Sequence, residues 1–209
     1  MPRAERGAAD VAPTRTFRGA AEFEAWLGEN GGAHAGVWLK LAKKGTGIAS
    51  LTDDEAVDVG LCFGWISSQR KSLDERFYLQ KYVPRRPRSR WSCVNVRKVE
   101  VLQAEGRMRP SGLAEVDAAK ADGRWAAAYE SQRNATVPED LAAALAANPQ
   151  AASAFESLGR TRRYALMLDI VTARGAEARA NHLRRVVESL VSPGTTATAG
   201  ARRSKRATR

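Results

Sequence analysis

The spacing of apolar residues along this chain switches between a helical period and a period of two, and the switches outline its elements. Phe23, Trp26 and Leu27 recur at helical spacing between Gly19 and Asn30, and Asn30-Gly31-Gly32 supplies a stop. From Gly36 to Lys43 the period drops to two. Val37, Leu39 and Leu41 alternate with Trp38, Lys40 and Ala42, which predicts a strand with one buried face. Thr52 and Glu55 form a capping box that opens a helix from Asp53 to about Cys62, with Val57 and Leu61 on one face. Trp65 to Lys71 and Phe77 to Val83 are rich in strand formers. With Ser72 to Arg76 between them they predict a hairpin, and Pro84 ends its second strand by removing a ladder donor.

Beyond Pro84 the prolines of PRRPRS force an extended, exposed path. The pattern then turns helical. Ser92 or Asn95 starts a helix carrying Val96, Val99 and Leu102, Pro110 starts the next, and Asp122-Gly123 breaks it. Pro138 and Pro149 each sit at a first helical turn. Two further helices are expected over Tyr164 to Arg174 and Ala178 to Val191, divided by Gly175; in the second, Leu183, Val186, Val187 and Leu190 form the stripe of a packed helix. The expected fold class is α+β: a small antiparallel sheet with helices in the N-terminal half, followed by a C-terminal helical bundle. The expected segments are a disordered arm over 1–16, an α+β domain over 17–130, a helical region over 131–192 and a disordered basic tail over 193–209.

Charge adds a surface to this outline. The formal net charge is +11, and residues 70–98 hold ten bases against two acids, whereas the tail from 193 holds five bases and no acid. Of the 34 bases, 26 are Arg, as a G+C-rich coding bias would produce, but such a bias does not explain their clustering. No run approaches the roughly 18 to 20 apolar residues of a membrane span. The first sixteen residues lack the apolar segment of a secretory signal, so a cytoplasmic protein is expected.

Candidate chemistry is sparse. Cys62 and Cys93 lack CxxC spacing, so neither a zinc site nor a redox pair is indicated, and no cofactor is implied. Cys62 reads as a small buried side chain, His34 as a solvated loop residue and His182 as a helix-face residue. The basic window offers an anion site instead. Arg85, Arg86 and Arg88 present guanidinium forks on a loop stiffened by proline, Trp65 and Trp91 bracket it, and Ser92 and Asn95 open a helix whose free N–H groups favour an anion. The same residues have plain structural readings: arginines paired with acids of a neighbouring helix, tryptophans in the core, Ser92 and Asn95 as caps.

The motifs LCFGWI (61–66), PRRPRSRWSCVN (84–95), EGRMRPSGL (105–113), AKADGRWAAAY (119–129) and VPEDLAAALAANPQAASAFESL (137–158), in this order, resemble the bacteriocin-protection, YdeI/OmpD-associated family over about Phe17 to Leu190. The resemblance implies a link to bacteriocin or antimicrobial-peptide resistance and to porin association, with no agreed reaction, cofactor or substrate. Ser67 and Ser68 stand where the family usually has Asp and Gly or Ser. Near the C terminus the family pattern keeps Glu177 and Arg179 but loses a Thr and a second Arg.

The expected function is a cytoplasmic stress or antimicrobial-resistance protein that binds an anionic small molecule or phosphate group through the Arg85 to Asn95 region. Its metal site is expected to be none and its oligomeric state is open. One rival is a nucleic-acid accessory protein making non-specific contacts through the basic tail. The other is an enzyme using the same pocket, with Asp74, Glu75 or Cys62 as acid or base.

Overall fold

Four strands form one sheet in the computed structural model of the protein, which describes residues 12–192. The first eleven residues of the expected arm and the whole expected tail lie outside the described residues. The chain divides into two units, Met1–Ala126 and Ala127–Arg209.

In the first unit the strands are β1 (Thr14–Arg15), β2 (Val37–Ala42), β3 (Trp65–Ser72) and β4 (Phe77–Pro84), in the order β1-β2-β4-β3. β2, β4 and β3 pair antiparallel, as the alternation and the hairpin spacing predict. At the edge of this small sheet β1 joins β2 in parallel, from within the segment expected as the arm, so the sheet is mixed. Two residues are too few to carry a period. What holds them is their flanks, since Ala12 and Phe17 are both buried.

The helices of this unit are α1 (Ala20–Asn30), α2 (Asp53–Cys62), α3 (Cys93–Ala104) and α4 (Pro110–Ala121). The Thr52–Glu55 capping box forms in both directions, with the Glu55 N–H donating to Thr52 Oγ1 at 3.2 Å and the Thr52 N–H donating to Glu55 Oε2 at 2.9 Å. Phe23 and Leu27 of α1, Ala56 and Val59 of α2 and Val37, Leu39, Leu41 and Tyr82 of the sheet make one core. α1 and α2 therefore cover one face of the sheet. A Cβ on Gly60 would lie 3.0 Å from the Tyr82 ring, and a Cβ on Gly112 would lie 2.2 Å from the Cys62 carbonyl oxygen. The second contact is with backbone that cannot yield, so only glycine lets α4 approach the end of α2 this closely.

The second unit is built from α5 (Glu139–Ala146), α6 (Pro149–Ser157), α7 (Arg160–Val171) and α8 (Ala176–Val191). Leu141, Leu145, Phe155, Met167, Ile170 and Val186 form its core. α7 begins four residues before the expected Tyr164, because Gly159 takes an extended conformation and its carbonyl accepts from the Arg162 and Arg163 N–H groups. Arg179 grips Asp140 with two hydrogen bonds, 2.7 and 3.0 Å, and donates a third to the Ile170 carbonyl at 3.2 Å, so one side chain ties α5, α7 and α8 together. Among the described residues no helix is long and apolar enough to cross a membrane.

Candidate functional site

A groove of about 890 Å³ lies in the first unit, between α1 and the start of α4. Its α1 side is made of small residues, Ala21, Ala25 and Gly28, continued by Gly31 and Gly32. Opposite stand Phe63 and Trp65 from the turn between α2 and β3, and Arg109, Pro110 and Ser111 at the head of α4. Two hydrogen bonds clamp that helix start to the turn: the Arg109 N–H donates to the Cys62 carbonyl at 3.0 Å, and Ser111 Oγ donates to the Phe63 carbonyl at 3.0 Å. Arg109 is the N-cap of α4 and makes no side-chain cap, and Pro110 at the first helical position carries no N–H. Its guanidinium lies 2.6 Å from Glu24 across the groove and 5.9 Å from the Phe63 ring centre. The result is an apolar slot with one cation, one carboxylate and a helix N-terminus at its rim.

Trp65, expected as a wall of the arginine loop, lines this groove instead and is edge-on to Trp26 at 6.3 Å. The other expected site residues gather elsewhere. Arg85 is only 6% exposed, its guanidinium lies 3.6 Å over the Trp91 ring, and it donates to the Arg90 carbonyl at 3.2 Å. Trp91 is buried and packs on Trp125 at 4.9 Å. Arg124, also buried, donates to the Ser89 carbonyl at 3.2 Å and to both carboxylate oxygens of Asp122. These contacts fasten the 84–95 loop from beneath. Ser92 caps α3 by accepting from the Asn95 N–H at 3.2 Å, and Asn95 is half-buried in the first turn. Arg86 and Arg88 are exposed on a turn closed by two bonds between residues 86 and 89. Of the expected constellation, then, Arg86 and Arg88 face outward, Arg85 and Trp91 face inward, and Trp65 belongs to a different place.

Of the three acid and base candidates, Glu75 is exposed, and Asp74 and Cys62 are engaged in structure. Asp74 accepts from the Arg76 and Phe77 N–H groups, both at 2.8 Å, and these bonds hold its carboxyl below the usual aspartate value. Cys62 is buried and its thiol is pushed up by that burial, which disfavours the thiolate a nucleophile needs. His34, expected in solvent, stacks on Trp26 at 5.4 Å. Sequence reasoning missed Glu24, Gly28, Arg109 and Ser111. The signal available was that LCFGWI and EGRMRPSGL both contain residues that line the groove, Phe63 and Trp65 in the first and Arg109 to Ser111 in the second.

Comparison with known families divides the chain as well. Residues 134–192 match the family described as Bacteriocin-protection, YdeI or OmpD-Associated, and residues 15–115 match a Domain of unknown function (DUF8412). The resemblance drawn over Phe17 to Leu190 is therefore supported over 134–192, where the VPEDLAAALAANPQAASAFESL motif lies, and the first three motifs fall in the other match. Neither a curated protein nor a solved structure matches the chain.

Proposed function

We propose that this is a bacteriocin-protection-type binding protein, cytoplasmic and serving antimicrobial or stress resistance, whose N-terminal unit holds an anionic small molecule with a flat apolar body. One observation carries this reading: Phe63 and Trp65 line the same groove as Arg109 and Ser111. The apolar slot suits the body of such a ligand, while Arg109 and the positive end of α4 suit its carboxylate or phosphate. A second reading keeps the anion at the exposed pair Arg86 and Arg88, whose turn is rigid without their side chains.

Thermal shift with phenyl phosphate, inorganic phosphate and benzyl alcohol separates the two. A Cβ on Gly28 meets nothing within 4 Å, so Gly28→Leu starts from open space at the wall of the slot and replaces a poor helix former with a good one. Phenyl phosphate at a hundredfold excess over Kd stabilises the folded state by roughly 2.7 kcal/mol. The expected result is a raised Tm with phenyl phosphate, little or none with the other two, and loss of the shift in Gly28→Leu at an undiminished unliganded Tm. A shift that survives Gly28→Leu but vanishes in Arg86→Ala with Arg88→Ala favours the second reading, and no shift with any anion ends both.

A further inference from the structure

The face of the sheet turned away from the core carries aromatic rings and cations that the groove does not use. Strand register and burial assign Trp38 and Lys40 of β2, Phe77, Leu79 and Lys81 of β4, and Ile66 and Lys71 of β3 to that face, because Leu39, Gln80 and Tyr82, which alternate with them along β2 and β4, point into the core and cross-strand partners share a face. A bulge between Ser67 and Arg70 makes this possible for Lys71. Without it, five positions from Ile66 would put Lys71 on the opposite face.

On this face Lys71 Nζ lies 4.6 Å and Lys81 Nζ 5.8 Å from the Trp38 ring centre, while Lys40 Nζ lies 4.1 Å and the Arg76 guanidinium 5.9 Å from that of Phe77. Among the described residues, none of these four cations is in an ion pair with a carboxylate. Of the two acids at the end of the hairpin, Asp74 spends its carboxylate on the turn amides, and Glu75 makes no ion pair with any of the four among the described residues. Four unneutralised cations around two rings on an open strand surface make a polyanion the complementary partner.

We propose that the outer face of the β2-β4-β3 sheet binds single-stranded nucleic acid, with a base stacked on Trp38 and a second on Phe77, and with Lys40, Lys71, Lys81 and Arg76 on the flanking phosphates. Stacking a base on either ring displaces the ammonium groups now lying over it and frees them for phosphate, so the resting contacts hold the cations where a backbone would pass. A surface ring on a sheet is a stacking platform that accepts any base. A duplex has no exposed base face to offer it, and the flat surface has no element to enter a groove. This site is separate from the groove beside Trp65 and does not depend on it.

Fluorescence anisotropy of the full chain with a labelled twelve-residue oligo(dT) and with a duplex of the same length provides the test. The single strand is expected to bind more tightly. Trp38→Ala is expected to weaken it about tenfold or more, whereas Trp38→Phe, which keeps a ring, retains most of the affinity. Lys71→Ala with Lys81→Ala is expected to reduce the slope of log K against log salt by about 1.4, two contacts at about 0.7 each for a single strand. The lysine pair lies on the outer face of the sheet, so it decides the matter even where Trp38→Ala fails to fold. Equal affinity for the two nucleic acids with no effect of any variant assigns the binding to charge elsewhere on the chain and overturns the proposal. So does binding to vesicles of phosphatidylglycerol with none to the oligonucleotide.

Discussion

The 84–95 loop and the outer sheet face both bring tryptophan together with basic side chains, and they orient them in opposite senses. In the loop, Arg85 is turned inward over Trp91, and Arg124 reaches the loop backbone from below. On the sheet, ammonium groups lie over Trp38 and Phe77 at the surface. The difference follows from the side chains. A guanidinium is planar and weakly hydrated, so it survives burial when stacked and hydrogen-bonded, whereas an ammonium holds its water and stays outside. In a chain whose bases are mostly arginine, a dense basic window therefore overstates the ligand surface, because several of its members are structural.

The largest effect expected from this contrast is at Arg85. Arg85→Ala removes a buried packing element and the donor to the Arg90 carbonyl, and should cost about 2 to 4 kcal/mol, in the range of buried-network losses. Lys40→Ala or Lys81→Ala should stay within about 0.5 kcal/mol. Urea unfolding followed by tryptophan fluorescence reads the right part of the molecule, since Trp26, Trp38, Trp65, Trp91 and Trp125 all fall within Met1–Ala126. A neutral Arg85→Ala would erase the contrast and return Arg85 to the list of ligand contacts.

Arg179 sharpens it from the second unit. Its side chain is 38% exposed and that of Asp140 32%, between the buried arginines and the surface ones. Hydrogen bonding to Arg179 holds the Asp140 carboxyl below its ordinary value of 3.8. A depressed carboxylate contributes stability above the unfolded value, and that stability is lost as pH falls through the folded one. Asp140→Asn should therefore cost about 1 kcal/mol at pH 7, reduced from a buried pair by solvent screening. The variant and the parent should converge below about pH 4, measured by thermal unfolding in far-ultraviolet circular dichroism. A gap of the same size at pH 3 would mean that shape, not charge, is what Asp140 supplies.

Much of the architecture was legible because its signals are local. The capping box at Thr52 and Glu55, the alternation from Val37 to Leu41 and the prolines at 110 and 149 each fix an element through its own residues. What escaped depends on partners distant in the chain. β1 exists because Pro13 and Thr14 lie beside Trp38. The groove exists because Gly112 lets α4 meet the end of α2, fifty positions earlier in the chain. The outer sheet face was hidden by the bulge, since a strict period of two through WISSQRKS assigns Lys71 to the wrong side. Trp65 and Trp91 show the same limit: both flank the basic loop in sequence, yet one lines a groove and the other lies under an arginine.

The smallest effect, and the sharpest on the loop itself, is expected from Arg86→Ala with Arg88→Ala. Both side chains are exposed, and the bonds that close their turn run from the Arg86 N–H to Ser89 Oγ at 2.9 Å and from the Ser89 N–H to the Arg86 carbonyl at 2.8 Å. None of these atoms belongs to an arginine side chain, so alanine at both positions leaves the turn intact and should change unfolding free energy by less than about 0.5 kcal/mol. Ser89→Ala removes one of the two bonds and should cost about 1 kcal/mol, more than the loss of both guanidiniums. Urea midpoints of the three proteins, read by the same tryptophan signal, give that order directly. A double variant less stable than Ser89→Ala would show that the outward arginines also hold the fold, and the separation between inward and outward charge would fail in the loop where it was first drawn.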